Sequence, residues 1–183
     1  MQFTEILQCV ADFHTAFQIP NSAQPHAALT ADEVALRHRL MAEENDEYLQ
    51  AANAGDVVEV ADALGDQLYI LAGTMMRHGM QDVIVKVFQE IQASNMSKLG
   101  PNGEPLLRED GKVLKGPNYF RPNIGGILEA HARGTALRET AVEMGIPHVD
   151  RMAWTPQSSG GANADAALEG AVAEGARNPE VTL

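Results

Sequence analysis

The sequence predicts an all-α protein: an antiparallel bundle of four to five helices with a long loop and a flexible C-terminal tail. Three observations support this. Apolar residues recur at spacings of three and four along most of the first half of the chain. No segment shows the sustained alternation of a half-buried strand. Only 5% of the residues are aromatic, whereas alanine and glycine are frequent.

The first two helices are predicted from periodicity and from their end signals. The first covers residues 1–17. The second covers residues 30–53, because Thr30 and Glu33 have the spacing of a capping box and Gly55 is a stop signal. The short connections that follow favour antiparallel neighbours.

The next two helices are predicted over residues 56–78 and 81–95. The segment that follows, residues 98–123, is dense in Gly, Pro and Asn and is predicted to be a functional loop. A fifth helix is expected after Asn123, broken near Gly134 and continuing to Met144.

Composition divides the chain into a helical domain, residues 1–130, and a C-terminal extension, residues 131–183. The extension is predicted to be partly helical at first. From residue 153 it is rich in alanine and glycine with a single Trp, which buries little apolar surface. We therefore expect this tail to be flexible.

The charge balance limits the partners of the protein. Asp and Glu number 25 against 13 Lys and Arg, a net charge of −12, which disfavours nucleic-acid binding. The single Cys9 cannot form an intramolecular disulfide, and the first residues lack the pattern of a secretory signal. No apolar stretch reaches the roughly 20 residues that cross a bilayer. We expect a soluble, cytoplasmic protein that binds neither nucleic acid nor membranes.

An acidic group lies on the second predicted helix. Glu43, Glu44 and Glu47 share the helical stripe of Leu36 and Leu40, so they are predicted to face the bundle interior. The alternative is that these charges form an ordinary solvated face.

A second acidic group lies on the third predicted helix, where Glu59, Asp62 and Asp66 fall within about 60° of one another among apolar residues. Glu59 can instead serve as a capping residue with Asp56. Acids of both helices brought together would repel one another unless protons or a cation neutralise them. Carboxylates with an open side suit Mg²⁺ that also binds phosphate.

Three of the four lysines, Lys98, Lys112 and Lys115, lie at or within the predicted loop, together with Arg108 and Arg121. This concentration of positive charge suits a phosphate chain. Ordinary surface lysines are the alternative.

These motifs resemble a known family. The pattern EExxE followed by GDQLYIL is similar to the MazG-type all-α nucleoside triphosphate pyrophosphohydrolases, and SNMSKLGPNGEPLLREDGKVLKGPNYFRP resembles the substrate loop of their dimeric, dUTPase-like branch. The resemblance covers about residues 1–125. It implies Mg²⁺-dependent hydrolysis, with Mn²⁺ as a substitute, of a nucleoside triphosphate to the monophosphate and pyrophosphate. A house-cleaning role on dUTP or another dNTP would follow.

The resemblance also implies residue roles. Glu43 would be the catalytic base, and Glu44 and Glu47 would bind metal. The second family motif, ExxD, has Ala63 at its Glu position if Asp66 supplies its Asp. We therefore expect Asp62 and Asp66 to be the second pair of metal ligands.

Glu59 is a competitor for this pair, since Glu59 and Asp62 form a literal ExxD one turn earlier. In the loop, the resemblance implies that Asn95, Lys98, Lys112 and Lys115 bind the substrate.

A different class of function stays open, namely a non-catalytic helical module that senses a nucleotide or metal or binds a partner. A P-loop is absent from the sequence, and with one cysteine a zinc site has little support. The apolar faces of such short helices predict a homodimer or higher homo-oligomer.

Overall fold

A computed structural model describes residues 1–143. Its helices are α1 (Phe3–Ala16), α2 (Ala31–Ala54), α3 (Val57–Arg77), α4 (Ile84–Met96) and α5 (Ile124–Glu143). The extended structure found in this part of the chain is an isolated antiparallel bridge between Leu107 and Val113. The predicted all-α class, with five helices, is confirmed.

Local signals define the ends of α2 and the start of α3. The Thr30 hydroxyl accepts a hydrogen bond from the Glu33 amide, and the Glu33 carboxylate accepts one from the Thr30 amide, which completes the predicted capping box. Gly55 ends α2 in the left-handed conformation, with φ of 71°. The Asp56 carboxylate then accepts from the amides of Val58 and Glu59 at the start of α3.

The helix α3 is the centre of the first compact unit, Met1–Pro122, because both α1 and α2 pack along it. Leu7 and Val10 of α1 are buried against Ala72 and Met76 of α3. The helices α2 and α3 run antiparallel, since Gln67 bonds Glu44 near one end of their contact and Arg77 bonds Glu33 near the other. The core formed by residues 1–143 is small, and Ala51 is the buried residue of α2.

Two details differ from the predictions. The helix α4 begins at Ile84 rather than near Gln81, whose side chain instead donates to the carbonyl of Ser22. The helix α5 continues through Gly134 without a break. One glycine costs a helix interior only about 1 kcal/mol, which does not by itself end a helix.

The second compact unit begins at Asn123 and is described here through α5. The domain boundary predicted after residue 130 falls inside this helix. The predicted tail from residue 153, and the predicted helix end at Met144, lie outside the described residues. None of the described helices is both long enough and apolar enough to span a membrane.

Two glycines of α3 provide a test of this packing. A Cβ atom at Gly73 would lie 3.0 Å from His14 Nε2 and 3.3 Å from an Arg37 nitrogen, whereas one at Gly65 would meet nothing within 4 Å. Gly65→Ala is expected to raise the free energy of unfolding by about 0.5–1 kcal/mol because it removes backbone freedom. Gly73→Ala should lower it by about 1 kcal/mol or more, since His14 is buried and cannot move freely. Urea unfolding of both variants measures this, and an equal gain in both would contradict the packing.

Candidate active site

The candidate site lies where α2 crosses the first half of α3. The Gln67 side chain donates to the backbone carbonyl of Glu44 over 3.2 Å, which ties the two helices together. Ala63, one turn before Gln67, is only 2% exposed. Its small side chain occupies the buried face of α3, and the contact places Glu44 near the acids of α3.

Five carboxylates form what we call the acidic cluster: Glu43, Glu44 and Glu47 of α2 with Asp62 and Asp66 of α3. Burial first, and then the charges of the other four acids, raise the pKa of Glu44 above its ordinary value. The Oε2 atom of Glu44 is buried and has no hydrogen-bond partner among the described residues. A buried, unpartnered carboxylate oxygen among like charges favours a proton or a cation.

After burial, the charges of Asp62 and Asp66 are among the causes that raise the pKa of Glu44, whereas the charge of Glu59 is not. That Asp62, rather than Glu59, compensates for Ala63 stays a prediction.

The expected burial of the acids is not seen in the single chain. Glu43, Glu47, Asp62 and Asp66 are exposed, and Glu44 is half-buried. These four side chains are exposed because the packing of α1 and α2 along α3 encloses none of them.

Carboxylate oxygens are the donors that a hard divalent cation prefers, and the unpartnered Oε2 of Glu44 fits such an ion. Within residues 1–143, however, no three His, Cys, Asp or Glu side chains are gathered closely enough to hold an ion as they stand. The donor chemistry therefore suits a metal, and the side chains would have to close around it.

The predicted substrate residues occupy the end of α4 and the loop. Lys98 Nζ donates to the Asn95 side chain over 2.7 Å, and the Gly116 amide donates to the Lys98 carbonyl over 2.9 Å. Lys115 Nζ lies 4.2 Å from the centre of the Tyr119 ring, a cation–π contact. These contacts bring Asn95, Lys98 and the segment that carries Lys115 together.

Further along the same loop, Lys112 is exposed, and its amide donates to the Asp110 carboxylate. Arg108 forms an ion pair with Asp110. The hydrogen bond that Arg108 donates to Asp110 raises the pKa of Arg108, and it is the largest cause of the lowered pKa of Asp110. The charge of Arg108 is thus already balanced, whereas that of Lys112 stays available to a ligand.

Two groups escaped prediction from the sequence. The first is Tyr119, whose ring contacts the Lys115 ammonium group. In the sequence, only its aromatic character within GPNYF pointed to it. The other group, which we call the arginine cluster, comprises Arg37, Arg77, Glu33 and His14. Its one signal was that Arg37 lies seven residues before Glu44, on the same face of α2.

Residues 10–95 match the sequence model of a family described as phosphoribosyl-ATP pyrophosphohydrolase. The match covers a little under half of the chain, from within α1 to the last turn of α4. It includes the whole acidic cluster, but Lys98, Lys112 and Lys115 lie beyond it. No curated protein matches the sequence. The helical region is thus similar to an all-α pyrophosphohydrolase family, and the closer likeness to the MazG-type branch stays a prediction.

The raised pKa of Glu44 gives a prediction for the metal-free protein. In EDTA at neutral pH, Glu44→Gln should increase the free energy of unfolding by about 1 kcal/mol or less, because it removes one of several repelling charges. An acid with a raised pKa contributes stability that is present below its ordinary value, 4.5, and is lost as pH rises through the raised value. The gain should therefore grow with pH and vanish below 4.5.

Urea unfolding across this pH range measures the effect, with Glu59→Gln as the matched control on α3. Glu59→Gln should give no gain at any pH and a loss of about 0.3–1 kcal/mol at neutral pH, because a negative charge in the first turn of α3 is favourable. A gain equal to that of Glu44→Gln would instead place Glu59 within the acidic cluster.

Proposed function

We propose that the protein is a nucleotide pyrophosphohydrolase, which cleaves the bond between the α and β phosphates of its substrate and releases pyrophosphate. The observation that carries this proposal is Glu44, whose buried oxygen is unpartnered and whose pKa is raised by burial and then by the charges of four neighbouring acids. The similarity of residues 10–95 to a pyrophosphohydrolase family supports the same chemistry.

Glu44, Glu47, Asp62 and Asp66 would hold the metal, with Glu59 as the competitor of Asp62. When bound, Mg²⁺, or Mn²⁺ in its place, would offset the negative charge of the phosphate oxygens and of the cluster itself. These carboxylates repel one another in the metal-free chain, and a bound cation would remove that repulsion. This is the physical reason why the cluster would bind a divalent metal.

Glu43 would act as the general base that takes a proton from the attacking water. It is exposed, so water can reach it, and its charge acts on Glu44, so it borders the proposed metal ligands. A base must lie within hydrogen-bond reach of the proton that it removes.

Asn95, Lys98, Lys112 and Lys115 would bind the phosphates or the sugar of the substrate. Lysine ammonium groups stabilise the negative charge that develops on the departing pyrophosphate. The contact of Lys98 with Asn95 and that of Lys115 with Tyr119 would hold two of these charges in place before substrate arrives.

Two substrate sets follow from two different observations. The loop resembles that of the dUTPase-like branch, which favours dUTP or another dNTP and a house-cleaning role. The name of the matched family, phosphoribosyl-ATP pyrophosphohydrolase, favours phosphoribosyl-ATP. Both are nucleotides with a triphosphate, which is the part that the acidic cluster and the lysines would contact.

The test is pyrophosphate release from dUTP, the other dNTPs, ATP and phosphoribosyl-ATP, with and without Mg²⁺. Glu43→Gln should lower kcat on the best substrate by about 10²-fold or more while the nucleotide still binds, because the base is lost and the binding groups remain. Asp46→Asn is the matched control, since Asp46 is exposed on the same helix and does not act on Glu44. It should keep kcat near that of the unmodified protein.

Unchanged turnover in Glu43→Gln would remove Glu43 from the mechanism. If no nucleotide releases pyrophosphate even at stoichiometric enzyme, although nucleotide or Mg²⁺ binds, the protein is the non-catalytic sensing or partner-binding module instead.

Exposed apolar side chains support the proposal that the protein forms a homodimer or higher homo-oligomer. Leu64, Leu68 and Leu71 of α3 are 49%, 39% and 42% exposed and share one face of the helix. Phe88 of α4 is 67% exposed. Burying such residues against a second copy would add the apolar contact that the small core of one chain lacks.

The double change Leu64→Glu and Leu68→Glu should therefore convert the oligomer to monomer, because it places charges in an apolar contact. Sedimentation velocity measures the assembly state. Val113→Glu, at an exposed apolar position of the loop, is the control and should leave the assembly intact. A monomeric unmodified protein would contradict this assignment.

A further inference from the structure

The contact between α2 and α3 buries small side chains. Ala51 is the buried residue of α2, and Ala63 of α3 is 2% exposed. An alanine projects only a methyl group, so such residues interdigitate little and allow one helix to slide or rotate on the other. The register of the two helices therefore depends on other contacts.

Two polar contacts join these helices. The Arg77 guanidinium donates to the Glu33 carboxylate, and the Gln67 side chain donates over 3.2 Å to the backbone carbonyl of Glu44. The two contacts lie eleven residues apart on α2 and ten residues apart on α3, which is about 16.5 Å and 15 Å along the helix axes. Because these lengths agree, both contacts fit one antiparallel register.

Of the two contacts, the one made by Gln67 lies beside the acidic cluster. Gln67 follows Asp66 directly, and it lies one turn after Ala63 on the same face of α3. Its acceptor is the backbone oxygen of Glu44, so the bond fixes the place of the helix and uses neither oxygen of the carboxylate. The Oε2 atom of that carboxylate is buried and has no hydrogen-bond partner among the described residues.

A glutamine is chemically suited to this position. Its amide is a neutral donor, so Gln67 holds α2 against α3 without neutralising any carboxylate of the cluster. A lysine or arginine there would pair with the acids and compete with a bound cation. A glutamate would add a further negative charge and lose the N–H donors.

We propose that Gln67 is a positioning residue of the acidic cluster. Its hydrogen bond to the Glu44 carbonyl sets how closely Glu44 approaches Asp62 and Asp66, and thereby how tightly the cluster binds a divalent cation. Gln67 acts through Glu44 and is not itself a metal ligand. The inference rests on the proposed function in one respect, namely that the acidic cluster is the metal site.

The experiment titrates the full chain with Mn²⁺ in the absence of nucleotide and follows the free ion by electron paramagnetic resonance. Gln67→Leu removes the donor but keeps a side chain of similar size. It should weaken Mn²⁺ binding by about tenfold or more, as is typical when a group that orients a metal ligand is lost. Gln89→Leu makes the same change at an exposed position of α4 and should keep the affinity within about twofold.

A second control separates positioning from overall stability. Glu33→Gln removes the ion pair at the far contact, about 15 Å along α3 from Gln67, and a glutamine can still complete the capping box. It should lower the free energy of unfolding in urea and keep the Mn²⁺ affinity within about twofold. A loss of Mn²⁺ affinity as large as that of Gln67→Leu would show that only global stability matters, which overturns the proposal.

The outcomes distinguish this inference from the proposed function. If the unmodified protein binds Mn²⁺ and Gln67→Leu binds it equally well, the positioning role is overturned and the metal site stands. Absence of Mn²⁺ binding by the unmodified protein overturns both. If Gln67→Leu does not fold, Gln67→Asn decides, because its amide is retained but ends about 1.5 Å short of the carbonyl, and the same weakening is expected.

Discussion

Repulsion between carboxylates along the contact of α2 with α3 is the constraint on which the rest depends. Helix packing through Ala63 and the bond from Gln67 bring Glu44 beside Asp62 and Asp66, although their charges oppose this approach. The hydrogen bond from Gln67 and the ion pair of Arg77 with Glu33 hold α2 and α3 together across this contact. A bound cation would relieve this repulsion, and the proposed metal site depends on that relief.

The same contact separates charge along its length. Arg37 and Glu44 lie seven positions apart on one face of α2, and Asp66 and Gly73 have the same spacing on α3. Near one end Glu44 has an oxygen without a partner, and near the other Arg37 has donors without an acceptor. The Glu44 oxygen favours a cation, whereas the Arg37 donors favour an anion.

Much of the secondary structure could be predicted because it depends on neighbours in the sequence. The capping box of Thr30 with Glu33 and the left-handed Gly55 act within a few residues of themselves. Gly134 was misjudged because a glycine lowers helix stability without forbidding a helix. The sequence predicted correctly which acids share a face of each helix. It did not predict that they are exposed, since exposure depends on which other helices cover α3.

The sequence by itself determined the helical class, the helix ends and the acids that share a face, because periodicity and capping are local properties of the chain. Only the tertiary structure decided that the charges of Asp62 and Asp66 contribute to the raised pKa of Glu44, and that Arg77, rather than Arg37, donates to the Glu33 carboxylate. These partners lie on different helices, and their meeting depends on the register of two packed surfaces, which no local pattern encodes.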